Sequence, residues 1–400
     1  MLQTALRPPR IVILGGGYAG TLAALRLAGR TRGQSVAITL VDAKAGFTER
    51  IRLHQLASGA SLPAYRYARL LRDTGVTFRQ ARVTALDPGQ QQVHMNEAGQ
   101  ATVLPYDYLI YALGSTVETG LADLEQGITT LADVNAATGL FQRIASQTGS
   151  PRLLIIGGGL TGIEAAAELS QSMPRLTVML ATNDMIGAGL AARGRDYVRS
   201  SLMAAGVDVR EQCAVRLLGN NQAQVGAAQL RFDLALWAGA FRVSPLAALA
   251  GLGVDERDRV MVDETLRAAH FPNIYVAGDA ASTRLRMACA TAMPMGAYVA
   301  DHLAATLAGR THDAFRFGYA MLCISLGRHD GLIQFVQHDD TPTDRMITGV
   351  AAAVVKEFVC RYTVWSLAWE RRFPGAYRWP QHHEVLIPPT GAPAMQPGRI

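Results

Sequence analysis

The strongest constraint on the fold is a segment that occurs twice. Ile11-Val12-Ile13-Leu14 runs into Gly15-Gly16-Gly17-Tyr18-Ala19-Gly20 and an Ala/Leu-rich stretch to Arg30; Leu153-Leu154-Ile155-Ile156 runs into Gly157-Gly158-Gly159-Leu160-Thr161-Gly162 and then Ile163 to Ser170. Four aliphatic residues bounded by glycines are too short for a helix and suit a parallel strand covered on both faces. The stretches that follow have helical spacing and supply crossovers. Two βαβ units are therefore present, and the expected class is α/β with doubly wound parallel sheets.

In G-x-G-x-x-G the first glycine makes the tight turn, the second lets a pyrophosphate approach the backbone, and the third lets the helix pack on the strand. The helix N-terminus then offers free N–H groups and a partial positive charge to the phosphates. Gly15, Gly17 and Gly20 fill these roles. Asp42 follows Gly20 by twenty-two residues at the end of the next strand, where a carboxylate meets an adenosine ribose; an ordinary strand-end turn residue is the other reading. Gly157, Gly159 and Gly162 repeat the turn, but the strand Thr177-Val178-Met179-Leu180 ends in Ala181-Thr182-Asn183 without a carboxylate. A neutral residue there does not repel a 2′-phosphate, and Arg193 or Arg195 offers a positive partner, so NADPH is at least as well suited as NADH. Both arginines are equally compatible with a solvent-facing helix surface.

Further strands are expected over 36–41, 76–78, 82–86, 106–115, 233–237 and 273–280, with helices over 65–73, 193–205 and 296–307. A hairpin turned at 327–331 and a helix over 351–370 follow. Residues 381–400, rich in Pro and Gly, read as a loose tail. Cys213, Cys289, Cys323 and Cys360 lie far apart in sequence, so no disulfide framework or metal site is expected and the thiols read as reduced and mostly buried. The net charge of +6 comes almost wholly from scattered arginine, with lysine only at Lys44 and Lys356; without a basic block or stacking aromatics, no nucleic-acid partner is expected. Residues 1–10 lack the apolar core of a secretion signal, and no run of about 18 apolar residues suits a membrane span. A cytoplasmic protein, with peripheral membrane contact at most, is the expectation.

The two GGGxxG units, Ala112-Leu113-Gly114 between them and Ala277-Gly278-Asp279-Ala280 after them resemble the two-dinucleotide-domain flavoprotein reductases of the pyridine nucleotide–disulfide oxidoreductase superfamily. The stretch Gly157 to Leu169 is most similar to type II NADH dehydrogenases and ferroptosis-suppressor-like quinone reductases. The likeness covers about residues 10–310. It implies two Rossmann-like, dinucleotide-binding domains and a smaller C-terminal α+β domain: an FAD-binding domain at 1–117 and 240–310, an inserted NAD(P)-binding domain at 118–239, a cap at 311–380 and the tail. It also implies FAD and NADPH or NADH as cofactors, with hydride passing to the flavin and on to a quinone-like or other small electron acceptor. Gly15, Gly17, Tyr18, Ala19, Gly20, Asp42, Ala112, Gly114, Gly278 and Asp279 would then contact FAD. Gly157, Gly159, Leu160, Thr161, Gly162, Arg193 and Gly239 would contact the nicotinamide dinucleotide, and Pro294 and Met295 would meet the flavin edge or acceptor. The helix after Asp279 would aim its N-terminus at the flavin.

Departures narrow this picture. No cysteine stands in Gly46 to Gln55, so dithiol chemistry is not expected there. Where type II dehydrogenases carry glutamines, Ala290 and Met295 are apolar, which weakens a respiratory-quinone assignment and points to an apolar acceptor lining from Met293 to Met295. Glu164 and Glu168, four apart on one helix face, are the candidate catalytic residues, as proton relays or as structural partners of an arginine. His54 and Gln55 fall where the chain passes the flavin in relatives, with packing an equal reading for His54. Trp365 and Trp369, one turn apart before Arg371 and Arg372, suit a membrane face or, preferably, packing against a domain or second subunit. A dedicated flavoenzyme of secondary metabolism and a redox sensor without turnover are the alternative functions.

Overall fold

The computed structural model describes residues 7–117 and 128–382. Its larger sheet has eight strands in the order Arg267–Ala268, Phe271–Val276, Tyr108–Tyr111, Arg10–Leu14, Ala37–Asp42, Thr77–Asp87, Gln92–Glu97 and Gln100–Pro105. Arg10–Leu14 is central and pairs in parallel with both neighbours, which is why Ile11 to Leu14 are all apolar and all buried. Two helices cover this centre, α1 (Tyr18–Arg30) and a later helix that starts at Cys289. They meet backbone to backbone, for a Cβ on Gly296 would lie 2.2 Å from the Ala19 carbonyl oxygen.

The chain then forms two short helices, α2 (Leu53–Ala57) and α3 (Tyr67–Leu70), before α4 (Val134–Ala145), α5 (Leu160–Ser172) and α6 (Ala192–Ala204). The last three accompany a second, wholly parallel sheet ordered Ile128–Thr130, Leu234–Trp237, Arg152–Ile156, Thr177–Ala181 and Asp208–Arg210. Then come α7 (Leu246–Leu249), α8 (Cys289–Leu307), an antiparallel sheet of Met321–Ser325, Gly331–Val336 and Pro342–Thr348, and α9 (Gly349–Arg372). The hairpin's Leu322 and Ile324 belong to the apolar core around the second sheet, whereas Val364 and Leu367 of α9 belong to that of the first. Leu53 and Ala57 of α2 cross the other way, into the second core. The space between the two sheets is thus framed by α2, α5, the hairpin and α9.

Several elements depart from the sequence expectation. The helix expected over 65–73 is a two-residue strand, Tyr65–Arg66, and the single turn α3, because Tyr67 is drawn beneath the first glycine turn and its hydroxyl donates to the Gly16 carbonyl at 2.5 Å. The strands expected at 76–78 and 82–86 are one strand, Thr77–Asp87. Helix α8 starts at Cys289, seven residues before Gly296, and contains Pro294. Burial from Thr291 onward against the first core outweighs the hydrogen bond that the proline removes. Of the four cysteines only Cys360 is buried; the other three are partly exposed. The tail from 383 and the expected boundary at 118 lie outside the described residues.

Candidate functional site

Both glycine turns have the geometry that the pattern demands. Gly15 and Gly157 have φ of +93° and +123°, where a side chain is strained, and a Cβ on Gly20 or Gly162 would sit 1.9 Å from the carbonyl oxygen of Gly15 or Gly157. A Cβ on Gly17 or Gly159 meets no protein atom within 4 Å. Bare, exposed backbone at the N-cap of α1 and of α5, with no side-chain cap and open space in front, is a cradle for phosphates. These glycines fit a dinucleotide at each turn, on steric grounds alone.

Other predicted residues gather around the turns. Asp42 accepts from the Gly16 N–H at 2.6 Å and from the Lys44 N–H at 2.7 Å, so it stands beside the first turn. Tyr18 and Ala19 are buried in the first turn of α1, and the buried Tyr18 hydroxyl has no hydrogen-bond partner. Ala112 lies against Gly15, and Gly114, at φ +66°, leads to Ser115, whose hydroxyl donates to Asp279 at 2.5 Å. Gly278, at φ +76°, lies against Ala19. The strand ends at 111 and 276 are thereby joined next to the first turn. At the second turn, Leu160 and Thr161 are half-buried, and the Trp237 ring folds over Gly239. The loop after Ala181 docks on the turn, with the Gly187 N–H donating to the Gly158 carbonyl at 2.8 Å. Ala181 and Thr182 are buried, so the residue that faces outward at this strand end is Asn183. Arg193 is exposed on α6, while Arg195 donates to the Leu190 carbonyl at 2.6 Å.

The residues expected to form an apolar acceptor lining are covered in this structure. Met293, Pro294 and Met295 are buried in α8, and both methionines belong to the first core. Their side chains pack the helix on the sheet. A cavity of about 310 Å³ opens instead between α2, the hairpin and α9, lined among others by Arg52, Gln55, Ser325, Arg328, Lys356 and Glu357. Its lining is polar.

Behind it, Glu164 and Glu168 are both buried but separate into different roles. Glu164 Oε1 binds Lys356 Nζ at 2.8 Å and the Ser325 N–H at 3.0 Å, and its Oε2 faces His54 Nδ1 at 3.7 Å. Glu168 Oε1 binds Arg328 at 2.8 Å, Ser58 at 3.0 Å and Ser172 at 3.2 Å. Burial favours a neutral Glu164, but Lys356 and His54 together with the Ser325 N–H overcome it and hold the carboxyl below its usual range. Burial likewise opposes the Lys356 charge, and Glu164 more than compensates, so the ammonium persists well above the usual lysine range. Glu168 has the arginine partner that the structural reading expected, whereas Glu164 sits in a pair with lysine. Cys323 and Cys360 flank this pair, their thiols pushed up to about 11 by burial, and are neutral at ordinary pH.

Lys356 escaped the sequence reading. The signal was there in composition: of 38 basic residues only two are lysine, and one of them is the buried partner of Glu164. Ser325 carried no signal, for its role is a backbone N–H. Among the described residues no group of three or more His, Cys, Asp or Glu is arranged to hold a metal ion.

Known proteins share both the sequence pattern and this architecture. The demethylphylloquinone reductase of Synechocystis is 30% identical over 300 residues, covering 69% of this chain and 72% of the relative. The type II NADH:quinone oxidoreductase of Staphylococcus aureus is 25% identical over 402 residues, covering 90% and 96%. The crystal structure of the sulfide:quinone oxidoreductase of Aquifex aeolicus superposes with a TM-score of 0.79 at 17% identity, over 97% of this chain and all of that one. The profile of the pyridine nucleotide-disulphide oxidoreductase family matches residues 9–296, and the chain belongs to that family.

Proposed function

We propose that this protein is an FAD-dependent oxidoreductase that passes reducing equivalents from NADPH or NADH to a quinone. Gly15, Gly17, Gly20 and Asp42 hold the adenosine diphosphate end of FAD, and Asp279, oriented by Ser115, holds its ribityl chain. The backbone at Gly157, Gly159 and Gly162 holds the nicotinamide dinucleotide. Bound there, the flavin accepts a hydride from one partner and reduces the other. The observation that carries this reading is Glu164: four residues, about 6 Å, along α5 from its nucleotide-binding end, it is tied to α9 by Lys356 and to the hairpin by Ser325. A fixed charge pair therefore stands between the nicotinamide side and the polar cavity. That cavity is of a size to admit one quinone ring, and the likeness to quinone reductases supports that acceptor. Anaerobic titration with NADPH or NADH should bleach a yellow protein, and a short-chain quinone should restore its colour; a protein that takes up no FAD would overturn the assignment.

Nicotinamide choice rests on Asn183. With no carboxylate at this strand end, kcat/KM for NADPH should equal or exceed that for NADH. Asn183→Glu should move the ratio toward NADH by about tenfold or more, since a carboxylate there repels the 2′-phosphate. An unchanged ratio would show that the adenosine ribose lies elsewhere.

Attachment to an anionic lipid surface is the second part of the proposal. Val350, Val354, Phe358, Trp365, Trp369 and Phe373 are each 44–63% exposed and recur on one face along a helix about 36 Å long. The tryptophans are thus not packed within the chain. Arg361, Arg371 and Arg372 flank the stripe, and Arg371 reaches the Arg69 carbonyl at 3.0 Å. No described helix is long and apolar enough to cross a membrane, so α9 would lie in the interface plane. Trp365→Ser with Trp369→Ser should abolish co-sedimentation with vesicles containing an anionic phospholipid. A wild-type protein that stays in the supernatant and elutes as a dimer would assign the face to a second copy.

A further inference from the structure

Reduction of a quinone by NAD(P)H consumes a proton: NAD(P)H + H⁺ + quinone gives NAD(P)⁺ + quinol. Two electrons and one hydrogen come from the nicotinamide, and the second hydrogen must be delivered to a quinone oxygen from the protein side. The charge pair already described is poorly suited to release it. Glu164 is held ionised, and Lys356 is held charged with donations to Glu164 and to the Cys323 carbonyl at 3.1 Å. Glu168 is committed through Oε1 to Arg328 and two serines.

His54 is different. It stands on α2, the helix that belongs to the first unit in sequence but packs into the second core, and it is 4% exposed. Its Nε2 is buried without any hydrogen-bond partner. Its Nδ1 faces Glu164 Oε2 at 3.7 Å, too long a contact to fix which nitrogen carries the hydrogen. Buried polar atoms are almost always paired, and Glu168 Oε2 in the same cluster is likewise without a partner, so this corner of the site holds two groups whose bonds a ligand or a water would complete. Gln55, the next residue, and Arg52, two residues back, line the cavity, and the His54 ring is buried beside that lining while Leu53 packs into the second core. We propose that His54 is the proton-transfer residue of the acceptor step: the imidazole gives its hydrogen from Nε2 to the quinone oxygen and is reprotonated from the side of Glu164, Lys356 and the cavity water beyond them. This rests on the quinone-reductase reading above.

The charged groups facing the ring are Glu164 and Glu168 from α5, Lys356 from α9 and Arg328 from the hairpin turn. Two carboxylates against two cations leave little net field. Burial then keeps the imidazole neutral by pushing its pKa below the usual value, with Glu164 opposing. A neutral imidazole takes a proton at one nitrogen as it releases one from the other.

The test separates the half-reactions in the FAD-loaded protein. In His54→Gln, reduction by NAD(P)H should stay within twofold of wild type, while reoxidation by a short-chain ubiquinone should slow roughly 100-fold and lose its dependence on D₂O. His54→Asn serves as a second variant should glutamine not fold. A readout independent of turnover is ¹⁵N NMR of histidine-labelled oxidised protein: the ring signals missing from the variant should shift when quinone is added to wild type. Reoxidation within twofold of wild type, or ring signals unmoved at saturating quinone, overturns the assignment to His54 while leaving the quinone-reductase reading intact. A wild type that reduces no quinone overturns both.

Discussion

Gly17→Val is expected to give a folded, colourless protein, and Gly159→Val a yellow one that neither NADPH nor NADH reduces. Both residues are helix N-caps in extended backbone, with φ of −69° and −74°, which valine adopts without strain. A Cβ at either position touches no protein atom within 4 Å, so the apoprotein should unfold at the same temperature as wild type. The added methyls occupy only the space in front of the helix N-terminus, where a pyrophosphate must come within hydrogen-bonding distance of backbone N–H groups. Losing two such charge-assisted bonds costs about 3 kcal/mol or more, over a hundredfold in affinity. Alanine at Gly20 or Gly162 should behave otherwise: a Cβ 1.9 Å from a carbonyl oxygen must spread strand and helix apart and destabilise the protein with or without ligand. Flavin absorbance after gel filtration and an anaerobic nicotinamide titration read the outcome. A yellow Gly17→Val would refute the first turn as the FAD site, and a Gly159→Val reduced as fast as wild type would refute the second as the nicotinamide site.

What the sequence made legible follows from how locally each feature is determined. The two glycine turns were readable because every requirement, from positive φ at Gly15 and Gly157 to the missing Cβ at Gly20 and Gly162, lies within six residues. The parallel strands were readable because burial on both faces leaves runs such as Ile11 to Leu14 with no polar residue. Helix α8 was misjudged at its start because Pro294 and Gly296 carry local penalties, while the compensation, close packing of Gly296 on Ala19 of α1, comes from 277 positions away. The polar cavity was not legible for the same reason. Met293 to Met295 are buried, and the cavity takes its residues from three separated stretches, around 52–55, 325–328 and 353–361, that only the tertiary fold unites. Glu164 was found from its place on α5, and its partner Lys356, 192 residues later, was not.

That partnership makes the second large prediction. Lys356→Met leaves the buried Glu164 carboxylate without its counter-charge and should cost about 3–5 kcal/mol of stability at pH 8, and Glu164→Gln, which strands the ammonium, a comparable amount. The double variant Lys356→Met with Glu164→Gln should recover most of the loss, because neither charge then remains to be desolvated. The pH dependence follows from the directions of the two shifts. Glu164 is depressed in the folded state, so its contribution is fully present above the unfolded carboxyl value of about 4.3 and is lost as pH falls through the lower folded value. Lys356 is raised, so its contribution is present below about 10.4 and is lost as pH rises through the folded value. Between these limits the pair confers a nearly constant stability. In Lys356→Met, burial acts on Glu164 with only His54 and the Ser325 N–H to oppose it. The folded pKa should rise above the unfolded one, and the variant should become more stable as pH falls from 8 to 5, a range over which the wild-type pair contributes no slope. Urea unfolding of the three variants and wild type at pH 5 and pH 8 measures both effects. A loss below about 1 kcal/mol in Lys356→Met, with no gain in stability from pH 8 to pH 5, would mean that water already screens the pair. Recovered stability with slow quinone reduction in the double variant would assign the pair a part in proton supply to His54 distinct from its part in holding α5, the hairpin and α9 together.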